Sequence, residues 1–417
     1  MSRLKALTIL FDSTTNVFAP GDVISGQVIV QVDSNRDQEG LKNVQGIWVK
    51  FNGKAKTRWI TPESQYDDGV NHHPSSRDSK VPHSKKEMYF ETVSVIFGKG
   101  KHEHGPNQLN VEPGTHSYPF SFQLPVRILP SPFEHKYGYV RYKVKATLSL
   151  IRKLSNKSFK TEKLFSVVGP TVDLNTMPQV QLEVNDTKEL FGCCGCGSTV
   201  EESITVGLPK QGYVPGESVY LTGQVDNRDG EESCDFNVKF IQKSTFYSKS
   251  NNKNVENIIK NVRYRVATPR GRETEFSLGP RLIPPVPPSG LPGCNIIDVE
   301  YYIRCLSVRR KWKFPIVIGT VPLRARLPAG FPQAPPAYTP SSSVIDTALD
   351  SPVGMADSAF GVEAHPPSYV EAVGQTDRLT NERNNEEYFG DDQFVPSYPY
   401  FNLSVETPTD SHQSLEI

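Results

Sequence analysis

Two copies of a short Pro-Pro-x-Tyr motif, toward the C-terminal end of the chain, carry the clearest chemistry in the sequence. The residues of the two copies are Pro335, Pro336 and Tyr338, and Pro366, Pro367 and Tyr369. Consecutive prolines favour the polyproline II helix, whose three-residue period places proline and tyrosine on a shared face. An aromatic-lined groove of the WW type binds such a proline, while a second pocket takes the tyrosine ring. The motifs therefore predict non-covalent binding of WW modules.

The spacing of the two motifs suits a partner that carries several WW modules. Tyr338 and Tyr369 are 31 residues apart, and a flexible chain of that length spans about 30 Å on average. A partner that binds both motifs gains avidity over either motif alone. A third stretch, FVPSYPYF around Tyr398, has Val395 where the motif requires its first proline, and we do not count it as a WW site.

The cysteines do not predict a metal site. Cys193, Cys194 and Cys196 lie in the single stretch FGCCGCGSTV, a spacing too crowded for the tetrahedral ligands of zinc. Two interpretations remain open for these three: small turn residues between strands, or S-palmitoylation that adds membrane affinity. Cys234 stands alone, and a single cysteine is more often a half-buried or idle thiol than a reactive one.

The polar residues give no catalytic arrangement. The stretch from Thr61 to Glu87 is long and polar, which predicts a mobile loop. We interpret five histidines in and after it as solvated side chains, not metal ligands: His72, His73, His83, His102 and His104. The sequence has no Gly-x-Ser-x-Gly, no phosphate-binding glycine loop and no His-Glu-x-x-His. We therefore predict that the protein is not an enzyme and has neither a metal nor a cofactor.

The elements that must position these residues are β-strands. In VRYKVKATLSL, apolar side chains alternate with cationic or hydroxyl-bearing ones from Val140 to Leu150, which is the pattern of a half-buried strand. The stretches YPFSFQLP, VQGIWVKFNG and IIDVEYYIRCLSV alternate in the same way between turn residues. No long helical periodicity precedes residue 327, so we predict an all-β chain of sandwich type.

An internal repeat divides the strands into two domains. NVFAPGDVISGQVIV and, about 195 residues later, QGYVPGESVYLTGQVDN both contain Pro-Gly-acid, an apolar strand and Gly-Gln-Val. Proline presets φ and glycine tolerates positive φ, so Pro-Gly predicts a turn. We predict tandem sandwiches over residues 1–170 and 180–327. Residues 328–417 are rich in Pro, Ser and acidic residues, which is typical of a disordered tail.

The formal net charge of zero conceals a strong asymmetry. Residues 328–417 contain 14 Asp and Glu but 2 Arg, and the remaining body contains 44 basic and 32 acidic residues. A basic body is compatible with an ordinary solvated surface, and also with contact to anionic membranes or phosphorylated partners. The N-terminus lacks a signal-peptide pattern, and no run approaches the ~20 apolar residues of a membrane span. We expect a cytosolic protein with no nucleic-acid partner.

Five further stretches follow one another in an order found in a known family. They are APGDVISGQV, HSYPFSFQLP, YGYVRYKVKATL, RLIPPVPPSG and FPIVIGTVPL. Together with the Pro-Pro-x-Tyr motifs in a C-terminal tail, they resemble the α-arrestins, the arrestin-domain-containing proteins, over roughly residues 5–327. The resemblance implies two arrestin-type, immunoglobulin-like β-sandwiches in tandem, each of seven or eight strands.

The same resemblance implies a function. It suggests a non-enzymatic adaptor that recruits HECT-type ubiquitin ligases with WW domains to membrane cargo, namely receptors or transporters. Such an adaptor promotes ubiquitination, endocytosis and endosomal sorting of its cargo, and it associates peripherally with the plasma membrane and endosomes from the cytoplasm. Two alternatives keep the fold: a retromer-like sorting scaffold, and a thioredoxin-binding redox regulator in which Cys234 resembles in position the reactive cysteine of a relative.

Overall fold

The computed structural model describes two β-sandwiches, the segment that connects them and three short parts of the C-terminal tail. The described residues are 4–33, 40–62, 80–101, 103, 109–152, 156–191, 200–308, 310–324, 388–390, 394–401 and 415–416. Apart from two short 3-10 turns, the regular elements of this part of the chain are all β-strands. The prediction of an all-β double sandwich is confirmed.

The N-terminal sandwich contains ten strands in two sheets. They are β1 (Leu4–Phe11), β2 (Val17–Phe18), β3 (Val23–Val32), β4 (Leu41–Pro62), β5 (Lys80–Gly98), β6 (Leu109–Val111), β7 (Gly114–Gln123), β8 (Phe133–His135), β9 (Gly138–Leu150) and β10 (Lys157–Val167). One sheet has the order β1-β3-β7, and the other has the order β2-β10-β9-β4-β5, with β6 paired to β4 and β8 to β9.

Aromatic side chains fill the space between these two sheets. Phe51 of β4 is fully buried, and its ring stacks on Phe122 of β7 with the centroids 4.4 Å apart. Phe120 of β7 meets Phe51 edge-on at 5.8 Å. Complete burial of a phenylalanine stabilises a fold by roughly 1.5–3 kcal/mol. The alternation read from the sequence thus places its apolar side chains in the core, as predicted.

The C-terminal sandwich follows two 3-10 turns at Leu174–Thr176 and Pro178–Gln181. Its strands are β11 (Val184–Phe191), β12 (Val200–Leu208), β13 (Gly212–Tyr213), β14 (Ser218–Asn227), β15 (Ser233–Tyr247), β16 (Asn252–Ala267), β17 (Arg272–Leu282), β18 (Ile297–Ser307) and β19 (Arg310–Ile318). The sheet orders are β11-β12-β14-β17 and β13-β19-β18-β15-β16. Two tail strands, β20 (Tyr388–Gly390) and β21 (Leu415–Glu416), pair with β10 and β16 respectively.

The internal repeat corresponds to one structural unit used twice. Asp22 in the first copy accepts a hydrogen bond from the backbone N–H of Ala19 at 2.7 Å, and Glu217 in the second accepts one from Val214 at 3.1 Å. The acid therefore closes the Pro-Gly turn in both sandwiches. Each following strand, β3 or β14, then lies inside its sheet between two antiparallel neighbours.

The Gly of each Gly-Gln-Val sequence lies under an aromatic ring. A Cβ at Gly26 would overlap the carbonyl oxygen of Leu10 and approach the ring of Phe120, and a Cβ at Gly223 would overlap the ring of Phe276. Phe120 and Phe276 occupy the strands that neighbour β3 and β14, namely β7 and β17. Glycine is required at both sites because the neighbouring strand's ring fills the space of a side chain.

The two sandwiches contact each other through side chains of β15 and of the β8–β9 turn. Phe246 of β15 stacks on His135 of β8 with the ring centroids 4.8 Å apart. The hydroxyl of Thr57 donates a hydrogen bond to the carbonyl of Tyr247 at 2.7 Å. Because aromatic and hydrogen-bonded contacts both cross this boundary, the sandwiches form a packed pair in this structure.

Two details of the sequence interpretation are corrected by the strands. The polar stretch predicted as a mobile loop from Thr61 to Glu87 is strand at both ends, because β4 continues to Pro62 and β5 begins at Lys80. His83 is consequently buried in β5, stacks on Trp59 at 5.3 Å and lies 2.8 Å from the Thr61 hydroxyl. It is not a solvated loop residue. The other four histidines of that group, His72, His73, His102 and His104, lie outside the described residues.

Candidate interaction surface

The outer face of the larger N-terminal sheet is the strongest candidate surface for an interaction. Along β9, Val140, Tyr142 and Val144 are fully buried, so the residues between them point away from the core. The register places Lys145 opposite Lys50 and Arg141 opposite Lys54. Paired residues of antiparallel strands share a face, and cationic side chains of several strands therefore converge on one surface.

This surface, called the basic face below, combines nine cationic side chains with three carboxylates among the residues that the structure describes. The cations are Lys50, Lys54, Lys56 and Arg58 of β4, Lys86 of β5, Arg141, Lys143 and Lys145 of β9, and Lys160 of β10. The carboxylates are Glu91, Glu134 and Glu162. The excess of positive charge gives this sheet an attractive potential for anionic partners.

The carboxylates of the basic face are already engaged by its cations. Glu162 lies 2.7 Å from Lys143 and 3.3 Å from Lys145. Burial opposes ionisation of Glu162, but the two ammonium groups outweigh it and hold the pKa of this carboxyl below its usual value. Burial, with repulsion from Lys145 and Lys101, lowers the pKa of Lys160. The smaller, repulsive part of this shift comes from neighbouring lysines, and an anion bound at this face would relieve that part.

An aromatic ring lies among the cations at one end of the basic face. Arg141 forms a two-pronged ion pair with Glu134, at 2.6 and 2.7 Å, and its guanidinium lies 4.0 Å from the centre of the Tyr139 ring. Lys54 lies 5.8 Å from the same ring. The guanidinium of Arg141 is therefore held in one orientation. The Tyr139 ring and the Lys54 side chain beside it give this end of the basic face both an apolar and a charged part.

The sequence-predicted binding motifs lie elsewhere in the chain. Both Pro-Pro-x-Tyr motifs fall outside the described residues, as does the cysteine group of Cys193, Cys194 and Cys196. The WW-binding and lipidation assignments therefore stay predictions.

Cys234 lies at the start of β15, where it is buried. Its sulfur is 2.8 Å from the hydroxyl of Ser307. Burial raises the pKa of the Cys234 thiol to about 11, although the Ser307 contact opposes this. Because reactive cysteines require an accessible thiolate, this environment argues for the idle thiol and against the redox-reactive one.

A basic stretch begins β19, where Lys311 and Lys313 alternate with buried aromatic residues. Arg310 of β19 is buried and forms an ion pair with Glu202 of β12, while Lys311 and Lys313 are exposed. The pair joins strands from opposite sheets of the C-terminal sandwich, so Arg310 has a structural partner and does not contribute to a basic patch.

The described residues offer little that resembles an enzyme site. Within them, no three His, Cys, Asp or Glu side chains are grouped so that they could hold a metal ion. An apolar recess in the C-terminal sandwich, beside Val219 and Tyr264, has a volume of about 40 Å³, against roughly 300–1,000 Å³ for typical ligand pockets. Within the same part of the chain, no helix has the length and apolarity needed to cross a membrane.

Sequence reasoning missed one set of buried residues. Tyr398 and Phe401, in the stretch dismissed as a defective third motif, are almost completely buried against the body. Residues 394–401 lie within the predicted disordered tail, but in the structure they pack against the body. The available signal was composition, since Phe394, Val395, Tyr398, Tyr400 and Phe401 concentrate apolar surface within an acidic tail.

Comparison with known proteins agrees with this geometry. The model of the arrestin (or S-antigen) N-terminal domain matches residues 7–175, and that of the C-terminal domain matches residues 202–323. Arrestin domain-containing protein 17 of Caenorhabditis elegans is 25% identical, with 96% of this chain and 100% of that protein covered. Arrestin domain-containing protein 4 of Mus musculus is 26% identical, with 77% and 73% covered. Arrestin domain-containing protein 1 of Homo sapiens is 24% identical, with 82% and 72% covered.

The two arrestin domains indicate an adaptor-type role, in keeping with a family of generally non-enzymatic proteins. Their order along the chain matches the two sandwiches, and the basic face lies within the first of them. The chain belongs to the α-arrestin family, the arrestin-domain-containing proteins.

Proposed function

We propose that the protein is an adaptor that recruits HECT-type ubiquitin ligases with WW domains to membrane receptors or transporters, and so promotes their ubiquitination, endocytosis and endosomal sorting. The observation that carries the proposal is the pair of Pro-Pro-x-Tyr motifs in a chain with two arrestin domains. The mechanism is proximity, because a ligase bound to the tail meets cargo held by the body at high effective concentration.

The basic face supports the membrane side of this proposal. Its nine cations and three carboxylates, described above, favour approach to the anionic cytoplasmic leaflet, where a surface lysine or arginine contributes about 1 kcal/mol. Peripheral association of a cytoplasmic protein with the plasma membrane and endosomes follows from this attraction. Cargo held at the same membrane then lies within reach of the ligase on the tail.

The two alternatives of the same fold gain less support. A retromer-like sorting scaffold needs no Pro-Pro-x-Tyr motif, so it leaves the duplicated motif unexplained. A thioredoxin-binding regulator needs an accessible sulfur at Cys234, and that sulfur is buried beside Ser307. Lipidation of the cysteine group at residues 193–196 is compatible with the adaptor and would strengthen its membrane attachment.

Substitution of the two motif tyrosines tests the adaptor function. In the full chain, Tyr338→Ala combined with Tyr369→Ala removes the ring from both WW sites. The double variant should lose capture of a WW-domain ligase and lower cargo ubiquitination, while each single variant should retain part of both because avidity is only reduced. Phe360→Ala is the matched control, since it removes an aromatic ring from the same tail outside both motifs. Unchanged ligase capture and cargo ubiquitination in the double variant would refute the proposal.

A further inference from the structure

A segment of the C-terminal tail lies across the junction between the two sandwiches. We call Phe394–Phe401 the seam segment and the junction that it covers the seam. Tyr398 and Phe401 have exposed fractions of 1% and 6%, which is unusual for aromatic residues in an acidic tail. Both Pro396 and Pro399 are buried as well. The segment therefore buries apolar surface against the body.

The first half of the seam segment is bonded to the N-terminal sandwich. The Tyr398 hydroxyl donates a hydrogen bond to the carbonyl of Pro132 at 2.9 Å, in a buried setting. One residue earlier, the backbone N–H of Ser397 donates to the hydroxyl of Ser166 in β10 at 3.0 Å. The tyrosine belongs to the same core cluster as the aromatic rings of both sandwiches. Side-chain and backbone contacts thus both hold the first half of the seam segment against the N-terminal sandwich.

The second half is bonded to the C-terminal sandwich. The backbone N–H of Phe401 donates to the carbonyl of Pro215 at 3.0 Å. Next to that carbonyl, Gly216 has a φ of 90°, and a Cβ at this position would overlap the carbonyl oxygen of Phe401. The equivalent turn glycine of the first repeat, Gly21, has Val126 as its near neighbour. The second turn is therefore the one that accommodates a chain.

The phenylalanine ring completes a small apolar cluster that is separate from the main core. Phe401 packs there with four buried residues: Leu174, Val180, Val214 and Leu323. Leu174 and Val180 come from the segment between the sandwiches, and Leu323 lies at the end of the C-terminal domain. The seam segment thus contacts the first sandwich, the connection and the second sandwich in succession.

The same cluster indicates that the occupant belongs to the same chain. Leu323, where the body ends, and Phe401, where the seam segment ends, pack in one cluster although they are 78 residues apart in sequence. The two ends of the intervening chain therefore lie side by side, so the tail can reach this site without being stretched. A segment tethered in this way has an effective concentration far above that of a free partner.

Charge favours the same docking. Just before the seam segment, β20 pairs in parallel with β10, with Tyr388 opposite Lys160. The sequence on both sides of β20 is acidic, with Glu386 and Glu387 before it and Asp391 and Asp392 after it. β20 therefore extends the sheet that carries the basic face, and the acidic residues beside it in the sequence have the charge that this face attracts.

We propose that the seam is a peptide-binding surface, built by both sandwiches together, whose occupant is residues 394–401 of the same chain. The sequence Val-Pro-Ser-Tyr of this segment resembles the Pro-Pro-Ser-Tyr that ends at Tyr369. Its tyrosine, however, is buried against the body and is not presented to a WW module. The tail is consequently attached to the body again at residues 394–401, and both Pro-Pro-x-Tyr motifs precede this attachment in the sequence.

Hydrogen–deuterium exchange of the full chain tests the docking. In the wild-type protein the amides of Ser397 and Phe401 should be protected. Tyr398→Phe removes only the hydroxyl that donates to Pro132, and it should speed exchange of both amides by about five- to tenfold, as expected for one buried hydrogen bond. Tyr400→Phe is the matched control, because the described residues offer the Tyr400 hydroxyl no hydrogen-bond partner, and it should leave both rates unchanged.

Three results would overturn this part of the proposal. The first is wild-type exchange of the two amides at the rate of an open chain. The second is equal acceleration by Tyr398→Phe and Tyr400→Phe. The third is protection that grows with protein concentration, which would show that a second copy supplies the segment. Continued protection of the Val299 amide in β18 confirms that each variant is folded.

Peptide binding in trans tests the surface itself. A labelled peptide of residues 392–403 should bind the full-length variant Tyr398→Ala/Phe401→Ala, whose own segment is weakened, and should bind wild type at least tenfold more weakly. Equal binding to both proteins, or no binding to the variant at 1 mM peptide, would contradict the proposal. Neither assay uses a ligase, so the outcome is independent of the adaptor function.

Discussion

A loss of stability at mildly acidic pH should originate at His135, within the contact between the sandwiches. Its imidazole stacks on Phe246 of the C-terminal sandwich at 4.8 Å, and its Nδ1 accepts a hydrogen bond from the backbone N–H of Tyr137 at 3.2 Å. Burial, with a smaller contribution from the charge of Lys136, lowers the pKa of His135 to about 4. Protonation of Nδ1 would abolish the hydrogen bond and place a charge against the Phe246 ring.

The magnitude follows from the difference between the folded and unfolded pKa values. The folded pKa of about 4 lies below the unfolded value of about 6.5, so the unfolded chain binds more protons between these limits. The stabilisation is complete above pH ~6.5 and falls by at most ~1.4 kcal/mol per pH unit as the pH decreases. From pH 7 to pH 5 the loss is about 2 kcal/mol, an upper value because part of the ring meets solvent.

Urea unfolding of the wild type and of His135→Gln at pH 7 and pH 5 measures this effect. A glutamine amide oxygen can accept the Tyr137 N–H bond but does not titrate, and all other titratable groups are shared by the two proteins. The free energy of unfolding of the wild type should fall by about 2 kcal/mol more than that of the variant. If the two proteins lose the same free energy between pH 7 and pH 5, the assignment of the effect to His135 is wrong.

Two further predictions concern the basic face and the repeated glycine. Lys54→Glu should weaken binding of the full chain to phosphatidylserine vesicles at low salt by roughly five- to thirtyfold, from about 1 kcal/mol per unit of charge. Lys249→Glu, on an exposed loop of the other sandwich, should change binding far less. Equal effects of the two variants in a co-sedimentation assay would refute a localised binding surface. Gly223→Ala should lower the free energy of unfolding by roughly 1–3 kcal/mol, because the added Cβ would overlap the Phe276 ring. Gly100→Ala, where the nearest atom to the added Cβ is 3.4 Å away, should be close to neutral. Similar urea midpoints for the two variants would show that the Phe276 ring moves aside without cost.

Local sequence patterns were sufficient for most of the fold. Apolar alternation placed Val140, Tyr142 and Val144 in the core, because side chains of a strand point to opposite faces in turn. The duplicated Pro-Gly turns located the equivalent strands β3 and β14, since turn chemistry depends on a few adjacent residues. These features arise from neighbours in sequence, so they could be predicted without coordinates.

The candidate surface was only partly predictable. The cations of β9 were visible as the polar half of an alternating strand, but their number on one face depends on the register between strands. That register sets Lys145 opposite Lys50 on β4, and Lys160 of β10 opposite Thr147, two residues along β9 from Lys145. A shift of one residue would move every side chain of a strand to the other face, so strand pairing had to be known before the basic face could be recognised.

The sequence alone determined the strands, the tandem repeat and the two Pro-Pro-x-Tyr motifs, because each depends on residues close together in the chain. Only the tertiary structure decided that Arg310 is paired with Glu202 and that Tyr398 bonds to Pro132, contacts that join residues 108 and 266 positions apart. A periodic pattern shows which side of a strand is apolar, but it does not show which distant segment covers that side. Composition marks the segment around Tyr398 and Phe401 as apolar, but the surface that buries it depends on how the two sandwiches meet.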